Sequence, residues 1–504
     1  MLENLVEKFD SKIDFLTSRP IIIIPILLLA GFLLRMYFTP FDLPSRSNDA
    51  FVFLIYALAF HHSFDYIGGA YFMWSGLLAI LFLPFQFDSY DGYFTIIRIT
   101  SILISCISPI VLFLIAKQIM NKKYAMFAMA LFIFEPNIIE NAIFGLTEPL
   151  FILLGLVSVY FLFQKNPKLI PLAFVFAAFA ADTRATGLIF LPISILGVYF
   201  RSSKKEFLKM AIIGMALFII VYMPVIMHEG GVPNVSLLAA TSEPRGFSAE
   251  QVNFSENIFL VAGITEITHI FRILLPYMIL FAPVGFFVSI YKINWKIKIM
   301  IFIIIFQFII AIPQYTLSVA FRNLFFLIPI FSLFGALGIE YFSNDKKLRN
   351  ILLVGIIFGL ILTSYYFLSE RQPDPDYILE QERFGKFVTT ELEGTVATSD
   401  WNFILHNIKY STDSIPPDKL DGEISLLVPD FIIHNENQLI KYLTENKIDY
   451  LIVGDEKSKR FKMAQEIYFN EEKYPYLKKI FDSDEFGYKE YRNKIFKINQ
   501  EKLL

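Results

Sequence analysis

The stretch PIIIIPILLLAGFLLRMYF, residues 20–38, carries a single charge, Arg35. A helix of about 20 such residues crosses the hydrocarbon of a bilayer, where every backbone N–H and C=O must be bonded within its own segment. Runs of this kind recur near 94–116, 124–142, 148–163, 169–182, 185–200, 209–227, 271–291, 297–313, 323–341 and 350–368, which makes about eleven spans. The pair 169–182 and 185–200 is short and reads either as two spans or as one broken or re-entrant unit. The run 71–87 is apolar but short and proline-containing, and it reads as a helix lying at the interface. With 55% hydrophobic residues the chain is outside the range of soluble domains. The first run has no small-residue cleavage site and is expected to stay as a span.

Charge is distributed unevenly. Residues 1–368 carry about one charged residue in eight, and residues 369–504 about one in three. A membrane domain (1–368) therefore gives way to a soluble domain (369–504), with SERQPDPD (369–376) at the joint. In the second part GTVATSD (394–400) and KIDYLIVGD (447–455) read as buried strands, and NQLIKYLTEN (437–446) as a helix feeding the second of them. The fold class is a polytopic α-helical membrane protein with a C-terminal α/β domain. A net charge of −3 gives no case for nucleic acid, and the one cysteine, Cys106, excludes an internal disulfide.

Lysines mark one side. Lys8, Lys12, Lys117, Lys122, Lys123, Lys165, Lys168, Lys204, Lys205, Lys209, Lys292, Lys296, Lys298, Lys346 and Lys347 all fall on the face that holds the N-terminus. The positive-inside rule makes that face cytoplasmic, and an odd number of spans then places the C-terminal domain outside. The outer face has two long loops, 39–93 and 228–270, and its basic residues are arginines: Arg35, Arg46, Arg98, Arg184, Arg245, Arg272 and Arg322. The fork of donors on arginine matches phosphate oxygens, so this set points to an anion site. Asp42, Asp49, Asp65, Asp88, Asp91, Glu140, Glu148 and Asp182 lie on the same face, and sequons begin at Asn234 and Asn253. Glu135, beside Pro136 within the run 124–142, has no role in this pattern, although a carboxylate at that depth requires a partner or a proton.

Asp49 stands in SNDAFVF (47–53), directly before an apolar run. It reads either as an acid favouring a helix N-terminus or as a catalytic group. NDAFVFLIYALAF (48–60), RITSILISCISPIVLFLIAKQI (98–119), EPNIIENAIFGLTEPLFILLG (135–155), AFAADTRATGLIFLP (178–192) and FRNLFFLIPIFSLFGALGI (321–339) occur in an order that resembles the GT-C superfamily of membrane glycosyltransferases. The resemblance is to the family 39-like enzymes, which include protein O-mannosyltransferases and lipid A aminoarabinose transferases. It implies a sugar donor on a polyprenyl (dolichyl) phosphate, a hydroxyl acceptor on a lipid, glycan or protein, and an inverting transfer at the outer face of the cell membrane.

By this resemblance Asp49 is the general base, with Glu148 orienting the acceptor or a metal. Arg98, Arg184 and Arg322 hold the donor phosphate, with Arg46 and Asp182 grouped beside them. Many members of the family carry Asp-Glu at the first acid, whereas this chain has Asp49-Ala50. The role of the second acid then falls to Glu148 or another outer carboxylate. The sequence names no cofactor and no metal ligand set, and a divalent cation is left open. A flippase for lipid-linked sugars would need polar residues lining a route through the bilayer. A membrane scaffold would need none of these charges.

Overall fold

The computed structural model of the chain describes residues 19–502, except 44–47, 64–71, 88, 229–257, 275–277, 292, 318–320, 343–345, 373, 399–424, 428–434 and 456–461. Arg46, Arg245, Lys8, Lys12, Asp65, Asp88, Lys292 and both sequons lie outside the described residues. Helices α1 (Pro20–Phe38), α2 (Asn48–Ser63), α3 (Phe72–Phe82) and α4 (Tyr90–Ala116) follow the apolar runs closely. Trp74 and Phe82 of α3 are buried, and α3 packs on α2 and α4.

The run 124–142 is not one helix, as expected, but two: α5 (Lys122–Ile133) and α6 (Pro136–Ile143), bent by 52°. Proline at the first position of α6 has no N–H for the helix before it. Glu135 caps the new helix, accepting from the Ile138 N–H at 2.8 Å and the Asn137 side-chain amide at 2.7 Å. The carbonyls released at the break are also met. Arg35 donates to Ile133 O at 3.1 Å, and Ser364 donates to Phe134 O. The buried acid that the sequence pattern left without a role is a helix cap.

Next come α7 (Glu148–Leu162), α8 (Ile170–Thr183), a short turn of 3-10 helix at Ala185–Ile189, and α9 (Phe190–Arg201). Residues 169–200 are thus two helices joined by a tight turn. A Cβ at Gly187 would lie 2.3 Å from Ala180 O, so only glycine lets the turn close on α8. Helix α10 (Lys204–His228) follows. The expected span 271–291 is also replaced by two helices, α11 (Ile258–Leu274) and α12 (Met278–Tyr291), bent by 104° between Gly263–Leu274 and Met278–Tyr291. The end of the expected loop 228–270 is therefore helical. Helices α13 (Trp295–Leu317), α14 (Leu327–Phe342) and α15 (Lys346–Glu370) complete the bundle, with a 3-10 turn at Phe321–Leu324 leading into α14.

Among the described residues, four helices are long and apolar enough to cross a membrane, or six if each bent pair counts as one span, and there are also shorter apolar helices. Polar contacts sort to two ends. Lys296 reaches Gln118, Asn121 reaches Glu340, Lys123 reaches Asn350, and Arg201 reaches the carbonyls of Leu162 and Lys165. These are the ends that the lysine pattern puts together.

The remaining chain contains α16 (Pro375–Glu391), β1 (Val396–Thr398), β2 (Ser425–Leu427), α17 (Glu436–Glu445), β3 (Tyr450–Gly454), α18 (Lys462–Phe469), β4 (Leu477–Asp482) and β5 (Asn493–Ile498). The sheet order is β2-β1-β3-β5-β4, with β1 parallel to β2 and β3, and β5 antiparallel to β3 and β4. Alternate residues face opposite layers. Val396 and Ile452 pack with Phe384 and Val388 of α16, while Ala397, Leu451 and Val453 pack with Leu439 and Leu443 of α17 and Ile467 of α18. Glu380 of α16 accepts from the N–H groups of Lys489, Glu490 and Tyr491 at 2.8–3.1 Å. Partial burial alone would raise its carboxyl. The three N–H donors together outweigh that and hold it below the ordinary value.

Two outcomes follow from this packing. A Cβ at Gly285 of α12 would lie 1.8 Å from Phe334 O, and one at Gly338 of α14 would lie 2.1 Å from Phe281 O, so the two backbones touch. Gly285→Val is expected to cost about 1–3 kcal/mol, read as a lower thermal midpoint in detergent. An unchanged midpoint would contradict direct backbone contact. For Glu380, a depressed folded-state pKa stabilises fully above the unfolded value of about 4.3 and stops doing so as pH falls through the folded value. Glu380→Gln should remove part of the acid-range loss of stability, measured by melting the wild type and the variant between neutral pH and the acid range.

Candidate active site

Asp49 lies in the first turn of α2, Glu148 begins α7, Arg184 ends α8 and Arg322 sits on the turn before α14. These four residues are far apart in sequence and come together in one chain of contacts. Arg322 pairs with Asp49 through Nη2, and its Nε lies 3.5 Å from Glu148 Oε1. The same Oε1 accepts from Arg184 Nη1. Arg184 also donates to Thr147 Oγ1 at 3.3 Å and to Asn323 Oδ1 at 2.9 Å. Gln307, fully buried on α13, donates to Asn323 O at 2.8 Å and so ties the turn to the bundle.

Three of the four charged residues stand three to six residues before a packed aromatic ring. Phe151 follows Glu148 on α7, Phe326 follows Arg322, and Phe190 opens α9 after the Arg184 turn. The Phe190 and Phe326 rings lie 4.6 Å apart, and Phe151 is 5.8 Å from Phe326 and 6.0 Å from Phe190. This trio fixes three of the four carriers in one frame.

Exposure divides the cluster into two pairs. The side chains of Glu148 and Arg184 are 1% and 9% exposed, against 37% for Asp49 and 33% for Arg322. Both acids also benefit from standing at helix N-termini, which favour negative charge. The Glu148–Arg184 pair is therefore the buried half of the cluster and the Asp49–Arg322 pair its accessible half. Glu148 Oε2 has no hydrogen-bond partner among the described residues.

The structure assigns other work to some residues grouped here by sequence. Arg98, expected among the phosphate ligands, is buried and donates to the carbonyls of Pro40 at 2.6 Å and Leu43 at 3.1 Å. It clamps the start of the loop that leads to Asp49. Arg35 is fully buried and braces α1 against Ser105 of α4 and the α5–α6 break. Asp182 is buried near the end of α8. Ala50 is wholly buried, which leaves no room for the second acid of the usual Asp-Glu pair. Glu148 shares Arg322 with Asp49.

Asn323, Gln307 and Thr147 were not singled out from the sequence. Gln307 was legible as a polar residue deep in the apolar run 297–313, and Glu266 as a lone acid beside Thr265 in α11. Glu266 is fully buried with neither carboxylate oxygen bonded among the described residues, and α11 packs on the turn that carries Arg322. Among the described residues no group of three or more His, Cys, Asp or Glu side chains converges as metal ligands would.

A helical membrane bundle with this charged cluster at one end is GT-C-like in fold, as the sequence resemblance implied. Residues 91–228, from α4 through α10, match the family model described as dolichyl-phosphate-mannose-protein mannosyltransferase. The oligosaccharyltransferase of Archaeoglobus fulgidus, in its complex with Zn and sulfate, is similar with a TM-score of 0.59 at 12% identity, over 85% of this chain and 68% of that one. The Archaeoglobus fulgidus oligosaccharyltransferase AglB, in complex with an inhibitory peptide and a dolichol-phosphate, gives 0.59 at 10% identity, over 87% and 70%. ArnT from Cupriavidus metallidurans, bound to undecaprenyl phosphate, gives 0.54 at 9% identity, over 95% and 98%. No curated protein matches the sequence.

The two pairs should respond differently to mutation. Glu148→Leu leaves Arg184 buried without its carboxylate and is expected to cost about 3–5 kcal/mol. Arg322→Gln breaks a half-exposed pair and is expected to cost about 0–1 kcal/mol. Chemical or thermal unfolding in detergent checks both, and equal effects would contradict the division.

Proposed function

We propose that this protein is a membrane glycosyltransferase that moves a sugar from a polyprenyl phosphate to a hydroxyl acceptor. The observation that carries the reading is the accessible Asp49–Arg322 pair, seated on the buried Glu148–Arg184 pair. A carboxylate beside a fixed guanidinium is what this transfer needs. The acceptor oxygen bonds to the anomeric carbon as the bond from that carbon to the phosphate oxygen breaks. The bonding electrons leave with the phosphate, whose growing charge faces Arg322. The acceptor proton passes to the Asp49 carboxylate. A single displacement of this kind inverts the anomeric centre. Glu148 and Arg184 hold Arg322 in place, and Arg98 holds the loop that delivers Asp49.

The family match and the two neighbours whose complexes contain dolichol-phosphate and undecaprenyl phosphate support a lipid-phosphate donor. The lysine pattern supports a cytoplasmic N-terminus and about eleven spans, with the cluster and the C-terminal α/β domain on the outer side of the cell membrane. A hexose such as mannose is the sugar the family match favours, and a lipid, glycan or protein is the acceptor class.

Purified protein in lipid vesicles, given labelled polyprenyl-phosphate hexose and membrane extract, should transfer label to an acceptor. Asp49→Asn should lower that transfer by about 10²–10⁴-fold with folding intact. Full activity in Asp49→Asn would rule out Asp49 as the base. Label that crosses the bilayer without covalent transfer would make the protein a transporter instead.

A further inference from the structure

Arg322 does two jobs that conflict in the structure as it stands. It is the accessible cation of the cluster, and it is bonded to Oδ2 of the Asp49 carboxylate proposed as the base. Its other contact, to Glu148, belongs to the buried part of the site, where Arg184 shares the same oxygen. An anion arriving at Arg322 competes with these acids for the guanidinium's charge and donors. Removing Glu148 would leave a buried charge imbalance beside Arg184, whereas Asp49 is more than a third exposed and can turn to water. Exchange at Asp49 is therefore the easier route.

We infer that Arg322 masks Asp49 until the donor phosphate takes its place on the guanidinium, so that the base is released only in the donor complex. This rests on the functional reading above and adds an order of events to it: the donor binds first, and the acceptor meets a free carboxylate only afterwards. The donor fork of a guanidinium matches phosphate oxygens as well as it matches a carboxylate. Phosphate oxygens compete for the positions that Asp49 Oδ2 occupies. The displaced carboxylate stays tethered within one turn of the start of α2, beside the phosphate it has exchanged with. Masking also keeps the base from acting when no lipid phosphate is bound.

The test is binding of a polyprenyl phosphate without sugar, which separates this step from transfer. Affinity is measured in nanodiscs for the wild type, Asp49→Asn, Arg322→Gln and the double variant. Masking predicts that Asp49→Asn binds about 2- to 5-fold tighter than the wild type, the range set by an exposed ion pair. Arg322→Gln should bind more weakly, and the effect of Asp49→Asn should vanish in the Arg322→Gln background. Equal affinity of Asp49→Asn and wild type would overturn the masking. A gain of the same size in both backgrounds would also overturn it, because it would show simple charge repulsion by Asp49. A wild type that binds no polyprenyl phosphate would instead overturn the functional reading on which the masking depends.

Discussion

The buried contact between Glu148 and Arg184 is the interaction around which the site is built. It joins the first residue of α7 to the last turn of α8, and Arg184 extends it to Asn323 on the turn before α14. Removing either partner strands a charge in a low-dielectric interior, so the pair holds three chain segments together strongly once formed. Arg322 then hangs from this frame by its contact with Glu148, and Asp49 from Arg322. Accessibility increases outward along the chain of charges.

Much of this was legible in the sequence, for identifiable reasons. Asp49, Glu148, Arg184 and Arg322 stand at the ends of apolar runs, where a charge must either meet solvent or find a partner, and the sidedness of the runs put all four at one end. Arg98 satisfied the same criterion but serves the loop backbone. Spacing reports the end of the bundle at which a residue lies and is silent on the group it faces. Gln307 and Asn323 escaped notice because hydrogen bonds between helices leave no period in the sequence. In the C-terminal part the strands at 396–398 and 450–454 and the helix at 436–445 were readable from apolar runs bounded by turn residues. The antiparallel pair β4 and β5 was not, since lysines interrupt the apolar pattern of both strands.

The apolar runs also concealed two breaks. Hydropathy is blind to a bend when both halves are apolar, and the signals that mattered were local: Pro136 next to an acid for the first break, and a run beginning well before residue 271 for the second. The first break is fully bonded. Glu135 supplies the cap, while Arg35 and Ser364 receive the carbonyls left without helical partners. Two charges that look costly inside a membrane protein are there to satisfy backbone groups that a continuous helix would have satisfied by itself.

The neutrality of the cluster has a consequence for how a substrate arrives. Two acids and two guanidiniums packed within a few contacts form a charge set whose field falls off steeply with distance. Such a site exerts little pull on a distant phosphate. A lipid-borne partner would come to it by lateral diffusion in the bilayer, and its encounter rate would be set by membrane fluidity and lipid abundance, with little dependence on ionic strength. Selectivity for the anion is then expressed only at contact, when one oxyanion replaces another on the same guanidinium.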